Sequence, residues 1–191
     1  MADLDRLAGP STWLALVALV LSGIALALFF GGAGQFWGPV NDAFIVVAVI
    51  ALIPAVLAVD RLAGSHAAPW TRIITIAAIA GIVLMATGQT LLIVGRLSLD
   101  GSYVTGGIGV IPFIAWIVLV AVLSLASGVL PSSVGWLAVA SLVGIVLLAA
   151  VAALGQGPLL WAMGIGLVVV LGAWLASLAN ALGSSPALAT A

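Results

Sequence analysis

The sequence has 191 residues, of which 65% are hydrophobic and 5% charged, and its formal net charge is −1. A soluble domain carries about 25% charged residues because its surface must be hydrated, so this composition excludes a water-soluble globule and indicates a lipid environment. The chain has only four Lys and Arg residues, which are too few to form a basic surface that binds nucleic acid. The chain has no cysteine and a single histidine, His66, which excludes thiolate chemistry and an all-histidine metal site within one chain. We therefore expect no catalytic machinery, no metal and no cofactor.

Six apolar segments account for most of the chain. The third runs from Ile73 to Val94 without one charged residue. Since a helix needs roughly 20 residues to cross a hydrocarbon layer of about 30 Å, such a segment predicts a transmembrane helix. The predicted spans of this single transmembrane domain (residues 1–191) are 11–30, 43–59, 72–94, 108–129, 134–154 and 159–182. The predicted fold class is therefore all-α, a polytopic membrane bundle of six helices.

The first span is predicted to stay in the membrane rather than to be removed as a signal peptide. Signal peptides have about 7–15 apolar residues after a basic start, whereas this apolar run is longer and follows Asp3 and Asp5. At the other end of the chain, residues 183–191 are predicted to form a flexible tail.

Several residues predict where the other spans begin or bend. Asn41 or Asp42 is a good N-cap for the second span, because a short polar side chain accepts a hydrogen bond from a free backbone amide. Pro54 lies inside that span and predicts a kink, since proline has no N–H to donate. The segment Gly95–Gly107 is predicted to be a turn-rich loop, which places Pro112 in the first turn of the fourth span.

The short connectors predict that consecutive helices are antiparallel neighbours. With six spans, both termini lie on one side of the membrane, together with Arg6, Arg61 and Arg72, while Arg96 lies on the other side. Because Arg and Lys favour cytoplasmic loops, we expect both termini in the cytoplasm and the chain in the cell (inner) membrane.

Small residues four apart and two tryptophans indicate how the helices pack. Small residues let helix backbones approach closely in lipid, and such pairs are Ala77/Gly81, Ala140/Gly144, Gly172/Ala176 and Ala173/Ser177. Trp116 and Trp174 lie deeper in their spans than an interfacial belt would place them. We expect these two side chains to fill gaps between helices rather than to hold a cofactor.

A group of polar residues falls on the side opposite the termini: Gln35, Asn41, Asp42, Arg96, Asp100, Tyr103 and Gln156. Gln89 lies inside the third span, seven residues before Arg96, so the two share a helix face about 10 Å apart along the axis. A side-chain amide is costly in hydrocarbon unless it is paired, so Gln89 should point into the bundle.

These residues have two interpretations. In the first, an outward-facing cavity between the second, third and fourth spans binds a small polar or anionic ligand. Arg96 then supplies positive charge, Asp42 or Asp100 balances it, Gln89 forms the floor, and Asn41 and Tyr103 complete the cluster. In the second, Arg96 extends to the headgroups or pairs with an aspartate, and Gln89 is an interhelical hydrogen-bond strut.

The composition leads to two functional hypotheses. Every aspartate falls at a predicted span edge or in a connector, which argues against ion-coupled transport. We expect a non-catalytic multi-pass protein, an accessory or structural subunit that packs against other membrane proteins, a second copy or lipids. The alternative is a small channel, transporter or receptor that uses the outward-facing polar cluster.

Two motifs in the second half of the chain carry a resemblance. Leu130-Pro131, followed by Gly135-Trp136-Leu137 and Gly144, leads into the fifth span, and Pro158-Leu159-Leu160-Trp161 with Gly172-Ala173-Trp174-Leu175 lies in the sixth. Both resemble the corresponding segments of small six-helix bacterial integral membrane proteins of unknown function. The resemblance implies a six-span architecture and supplies no activity.

Overall fold

A computed structural model describes residues 2–64, 69–155 and 157–185 of the chain. These residues form seven α-helices, which are α1 (Ala2–Phe30), α2 (Trp37–Ala51), α3 (Ile53–Ala63), α4 (Pro69–Ile93), α5 (Leu99–Leu125), α6 (Ser132–Ala153) and α7 (Gly157–Gly183). With α2 and α3 taken together, 6 helices are long and apolar enough to cross a membrane. The predictions of an all-α fold and six such helices are confirmed. His66, Gln156 and residues 186–191 of the predicted tail lie outside the described residues.

The second span is interrupted at Leu52, two residues before Pro54. The Leu52 amide donates to the carbonyl of Val49 at 3.2 Å, which is the tighter turn of a 3₁₀-helix. Helical bonding resumes where the Val56 amide donates to the Leu52 carbonyl at 3.0 Å. Pro54 occupies the first turn of α3, where a missing N–H is tolerated. The helix is thus interrupted close to Pro54, where the sequence predicts a kink.

The prediction that Asn41 or Asp42 caps the second span is wrong, because α2 begins at Trp37. Pro39 lies in its first turn, where helix amides lack intrahelical acceptors and proline's missing N–H costs little. The Asn41 side chain instead accepts a hydrogen bond from Ser22 of α1. Asn41 and Asp42 therefore lie inside the helix rather than at its start.

The fourth span also begins earlier than predicted, because α5 starts at Leu99 within the predicted loop Gly95–Gly107. Ser98 caps it: its hydroxyl oxygen accepts from the Gly101 amide at 3.2 Å. Asp100 adds a negative charge in the first turn, close to the positive end of the helix dipole. Pro112 consequently lies in the interior of the helix and not in its first turn.

The helices pack side by side in a ring. Helix α1 contacts α2, α3 and α7; α4 contacts α2, α3 and α5; and α6 contacts α5 and α7, which closes the ring. The largest side chains that are fully buried in its centre are Trp116 of α5 and Trp174 of α7. The prediction that these two residues fill space between helices is confirmed.

Helices α4 and α5 are in close contact at two glycines, Gly81 and Gly109. The carbonyl oxygen of Gly81 lies 2.7 Å from the point where a Cβ on Gly109 would stand, and the Met85 Cγ lies 2.6 Å from it. Seven residues further along α4, a Cβ on Gly88 would collide with the hydroxyl of Thr105. The predicted role of Gly81 at a close helix contact is confirmed.

Candidate functional site

A short chain of hydrogen bonds joins α1 to α2. The Ser22 hydroxyl donates to Oδ1 of Asn41 at 2.7 Å, and the Asn41 amide nitrogen donates to Oδ1 of Asp42 at 3.1 Å. Ser22 and Asn41 are buried and Asp42 is partly buried, so most of this chain is shielded from the surroundings. Its donors all point toward the carboxylate, which leaves Asp42 as the group able to accept from a further donor.

Gln89 lies on α4 one turn beyond Met85 and is partly buried. Its carbonyl oxygen, Oε1, is fully enclosed and has no hydrogen-bond partner in the described part of the chain. A buried polar atom without a protein partner is rare and indicates a bound water, a bound ligand or a local cost in stability. Gln89 is therefore the residue of the predicted cluster whose side chain most clearly lacks a hydrogen-bond donor.

The other predicted site residues do not join this arrangement. Arg96 lies in the connection between α4 and α5 and is exposed, as are Asp100 in the first turn of α5 and Tyr103 one turn later. Among the residues that the structure describes, no hydrogen bond connects Arg96, Asp100 or Tyr103 to the Ser22–Asn41–Asp42 chain. Of the two aspartates in the predicted cluster, Asp42 is the one that hydrogen bonds connect to another helix. Asn41 joins it to Ser22 of α1.

A second polar link was missed in the sequence. The Thr75 hydroxyl of α4 lies 3.2 Å from Oδ1 of Asp60 in α3 and 3.1 Å from the Thr71 carbonyl oxygen. Sequence reasoning placed Asp60 in a connector, because a charged pair, Asp60-Arg61, ended the apolar run. The helix continues to Ala63, and the polar Thr71 and Thr75, one turn apart on the opposing segment, were the signal that could have identified this contact.

Three aromatic rings form the centre of the bundle. Phe113 stacks on Trp116 with ring centroids 5.6 Å apart, and Trp116 meets Trp174 edge to face at 5.8 Å. Both indole N–H groups are buried and lack a partner within the described residues. Aromatic pairs in this geometry stabilise a core beyond the area that they bury.

Two cavities adjoin these elements. The first, of about 130 Å³, lies beside Trp174 where five helices meet, is partly open and is lined by apolar atoms. The second is a more open groove of about 380 Å³ between the second span and α4. The groove is lined by Ile50, Ile53, Val83, Ala86, Thr87, Thr90 and Leu91.

The geometry thus offers one polar chain that ends at Asp42, one enclosed carbonyl on Gln89, and an apolar cavity at the aromatic centre. The resemblance of residues 130–144 and 158–175 to small bacterial six-helix membrane proteins stays a prediction. Comparison with known proteins found no matching family model, no matching curated protein and no matching solved structure.

Proposed function

We propose that this chain is a non-catalytic multi-pass protein of the cell membrane, an accessory or structural subunit that packs against other membrane proteins, a second copy or lipids. The observation that carries the proposal is the outer surface of the helices. Ile73, Ile111, Val146, Ile165 and Val169 are each 66 or 67% exposed, on four different helices. Apolar surface this extensive requires lipid or a protein partner to cover it.

The proposal includes a sidedness, with antiparallel neighbours and both termini in the cytoplasm. The contacts between α4 and α5 support antiparallel packing, because Gly81 meets Gly109 whereas Gly88, further along α4, meets Thr105, which comes earlier in α5. The distribution of arginines supports cytoplasmic termini.

Reporter fusions test this sidedness. We expect a fusion after Phe30 to report the external side and a fusion after Ala191 to report the cytoplasm, because an odd and an even number of spans precede them. The paired readout is the activity of a cytoplasm-dependent and a periplasm-dependent reporter at each position. Signals from the same side at both positions would contradict six spans.

Extraction at native expression level into lipid nanodiscs tests the accessory role. We expect native mass spectrometry to detect a second copy or another polypeptide in fixed stoichiometry with this chain. Val169→Phe on α7 and Val146→Phe on α6 are matched variants of exposed valines, and loss of the complex with only one of them would locate the contact. If native mass spectrometry detects only a single copy of this chain with lipid under every extraction condition, a protein partner is contradicted.

Gln89 favours a second candidate function, a small channel, transporter or receptor for a polar ligand. Its enclosed Oε1 lacks a donor, and a bound polar molecule would supply one. This candidate and the accessory role make opposite predictions for Gln89→Met, which keeps the side-chain length and removes the amide.

If Gln89 has no ligand, Gln89→Met should raise the free energy of unfolding by about 1 kcal/mol or more, because an unpaired buried carbonyl is removed. Denaturant titration in micelles measures this, with Gln35→Met at an exposed position as the control. A loss of stability relative to the parent in nanodiscs of native lipids, but not in micelles that strip bound molecules, would favour the ligand, since an occupant that bonds to Oε1 stabilises the folded state only while it is bound.

A further inference from the structure

The cavity inside the ring is formed by five helices. Ala15 and Leu19 of α1, Ala48 of α2, Met85 of α4, Phe113 of α5 and Trp174 of α7 are among its lining residues. Small side chains on α1 and α2 face the aromatic rings, which leaves space between them. Leu52, where the second span is interrupted, also lines the cavity.

The lining excludes water as a stable occupant. A buried water needs 2–4 polar partners, and the cavity wall is formed by apolar atoms only. The unpaired Trp174 N–H does not change this, because it is buried and does not open onto the wall. Its volume, about 130 Å³, is close to that of apolar protein cavities of about 150 Å³ that stay dry and bind benzene or xenon.

We propose that this cavity binds a small uncharged apolar group, about the size of one benzene ring. The aromatic side chains of Phe113 and Trp174 and the thioether side chain of Met85, which line the cavity, are polarizable and suit such an occupant. Two sources provide this chemistry: a free apolar molecule that partitions into the bilayer, or the end of a lipid acyl chain. The site is separate from the polar chain at Asp42 and does not depend on it.

The methionine methyl groups allow a direct test. The chain has 3 methionines, of which Met85 lines the cavity and Met163 lies on α7 away from the lining residues. In the ¹³C-methyl-methionine NMR spectrum of the full chain in micelles, with Met85 assigned through Met85→Leu, benzene should shift the Met85 signal to saturation. The Met163 signal should not saturate with it. A Met85 signal that does not move, or that moves linearly together with Met163, would overturn the proposal.

A filled cavity provides the matched comparison. Ala48→Leu adds three carbons at the wall and should abolish the saturable shift of Met85, whereas Ala173→Leu, at an exposed position on α7, should preserve it. Should Ala48→Leu fail to fold, Ala15→Val fills part of the same space and should weaken benzene binding several-fold. Undiminished binding by both filled variants would overturn the proposal.

Lipids with a nitroxide at the end of the acyl chain distinguish the two sources. In nanodiscs of such lipids, an acyl-chain end in the cavity would selectively broaden the Met85 methyl signal. If added benzene then restores the sharp signal, the acyl-chain end is the occupant. A saturable benzene shift without this broadening identifies a free apolar molecule. Neither broadening nor a saturable shift would overturn the site altogether.

Discussion

Replacing Gly81 by alanine is expected to lower the free energy of unfolding by about 1–3 kcal/mol, the usual range for overpacking. The added methyl group would collide with the carbonyl oxygen of Gly109 and would stand 2.7 Å from the Pro112 Cγ. Backbone and a proline ring cannot rotate away as the end of a flexible side chain can. Helix α4 would therefore have to move away from α5, with a loss of packing along their whole contact.

The matched control is Gly107→Ala in α5. Gly107 lies in a helix, is exposed, and has no heavy atom within 4 Å of the point where a Cβ would stand. Alanine there should be neutral or stabilise the helix by about 0.5–1 kcal/mol, because glycine loses more backbone entropy on folding. Denaturant titration in one detergent gives both values. Equal tolerance of the two alanines would contradict the close contact between α4 and α5.

The span count could be predicted because length and hydropathy determine it locally. A helix that crosses hydrocarbon needs about 20 apolar residues whatever its neighbours are, so the six segments were visible before any packing was known. The interruption near Pro54 was visible for the same reason, since a missing N–H acts on its own turn. Burial of Trp116 and Trp174 followed from their depth in the segments.

The first residues of α2 and α5 could not be predicted from segment length and hydropathy. Gly101, Gly106 and Gly107 favour turns in isolation, and they were interpreted as a loop. In lipid the backbone must satisfy its own hydrogen bonds, which favours helix even where side-chain propensity is poor. Ser98 as a cap and Asp100 in the first turn were signals for this earlier start that the glycines obscured.

The candidate site was predicted in part because only some of its contacts depend on one helix. Gln89 was selected because an amide inside an apolar segment needs a partner, whereas Asn41 was selected as a polar residue at the start of the second span, on the same side as Arg96. The partner of Asn41, Ser22, was not identified, because a serine in a membrane helix commonly bonds to its own backbone. The predicted cluster also needed a flexible loop to bring Arg96, Asp100 and Tyr103 close to Asn41 and Gln89. Because α5 already begins at Leu99, Asp100 and Tyr103 are held in a helix instead.

Replacing Trp116 by alanine is expected to have the largest effect of any single truncation, a loss of about 3–5 kcal/mol. Trp116 is fully buried and contacts both Phe113 and Trp174. Lipid is as apolar as the bundle interior, so the loss comes from van der Waals contacts that no neighbour can replace. The space it vacates would adjoin the cavity beside Trp174 and leave the aromatic centre without its middle ring.

Trp136→Ala is the control, because the Trp136 side chain is 65% exposed and its removal should change the free energy of unfolding by less than about 1 kcal/mol. Trp116→Phe should lie between the two, since it keeps one aromatic ring and removes an indole N–H that has no partner. The unfolding midpoint of all three variants in the same micelles gives the order. If Trp116→Ala were as stable as Trp136→Ala, Trp116 would not be part of the packed centre, and the cavity that its neighbour lines would lose its wall.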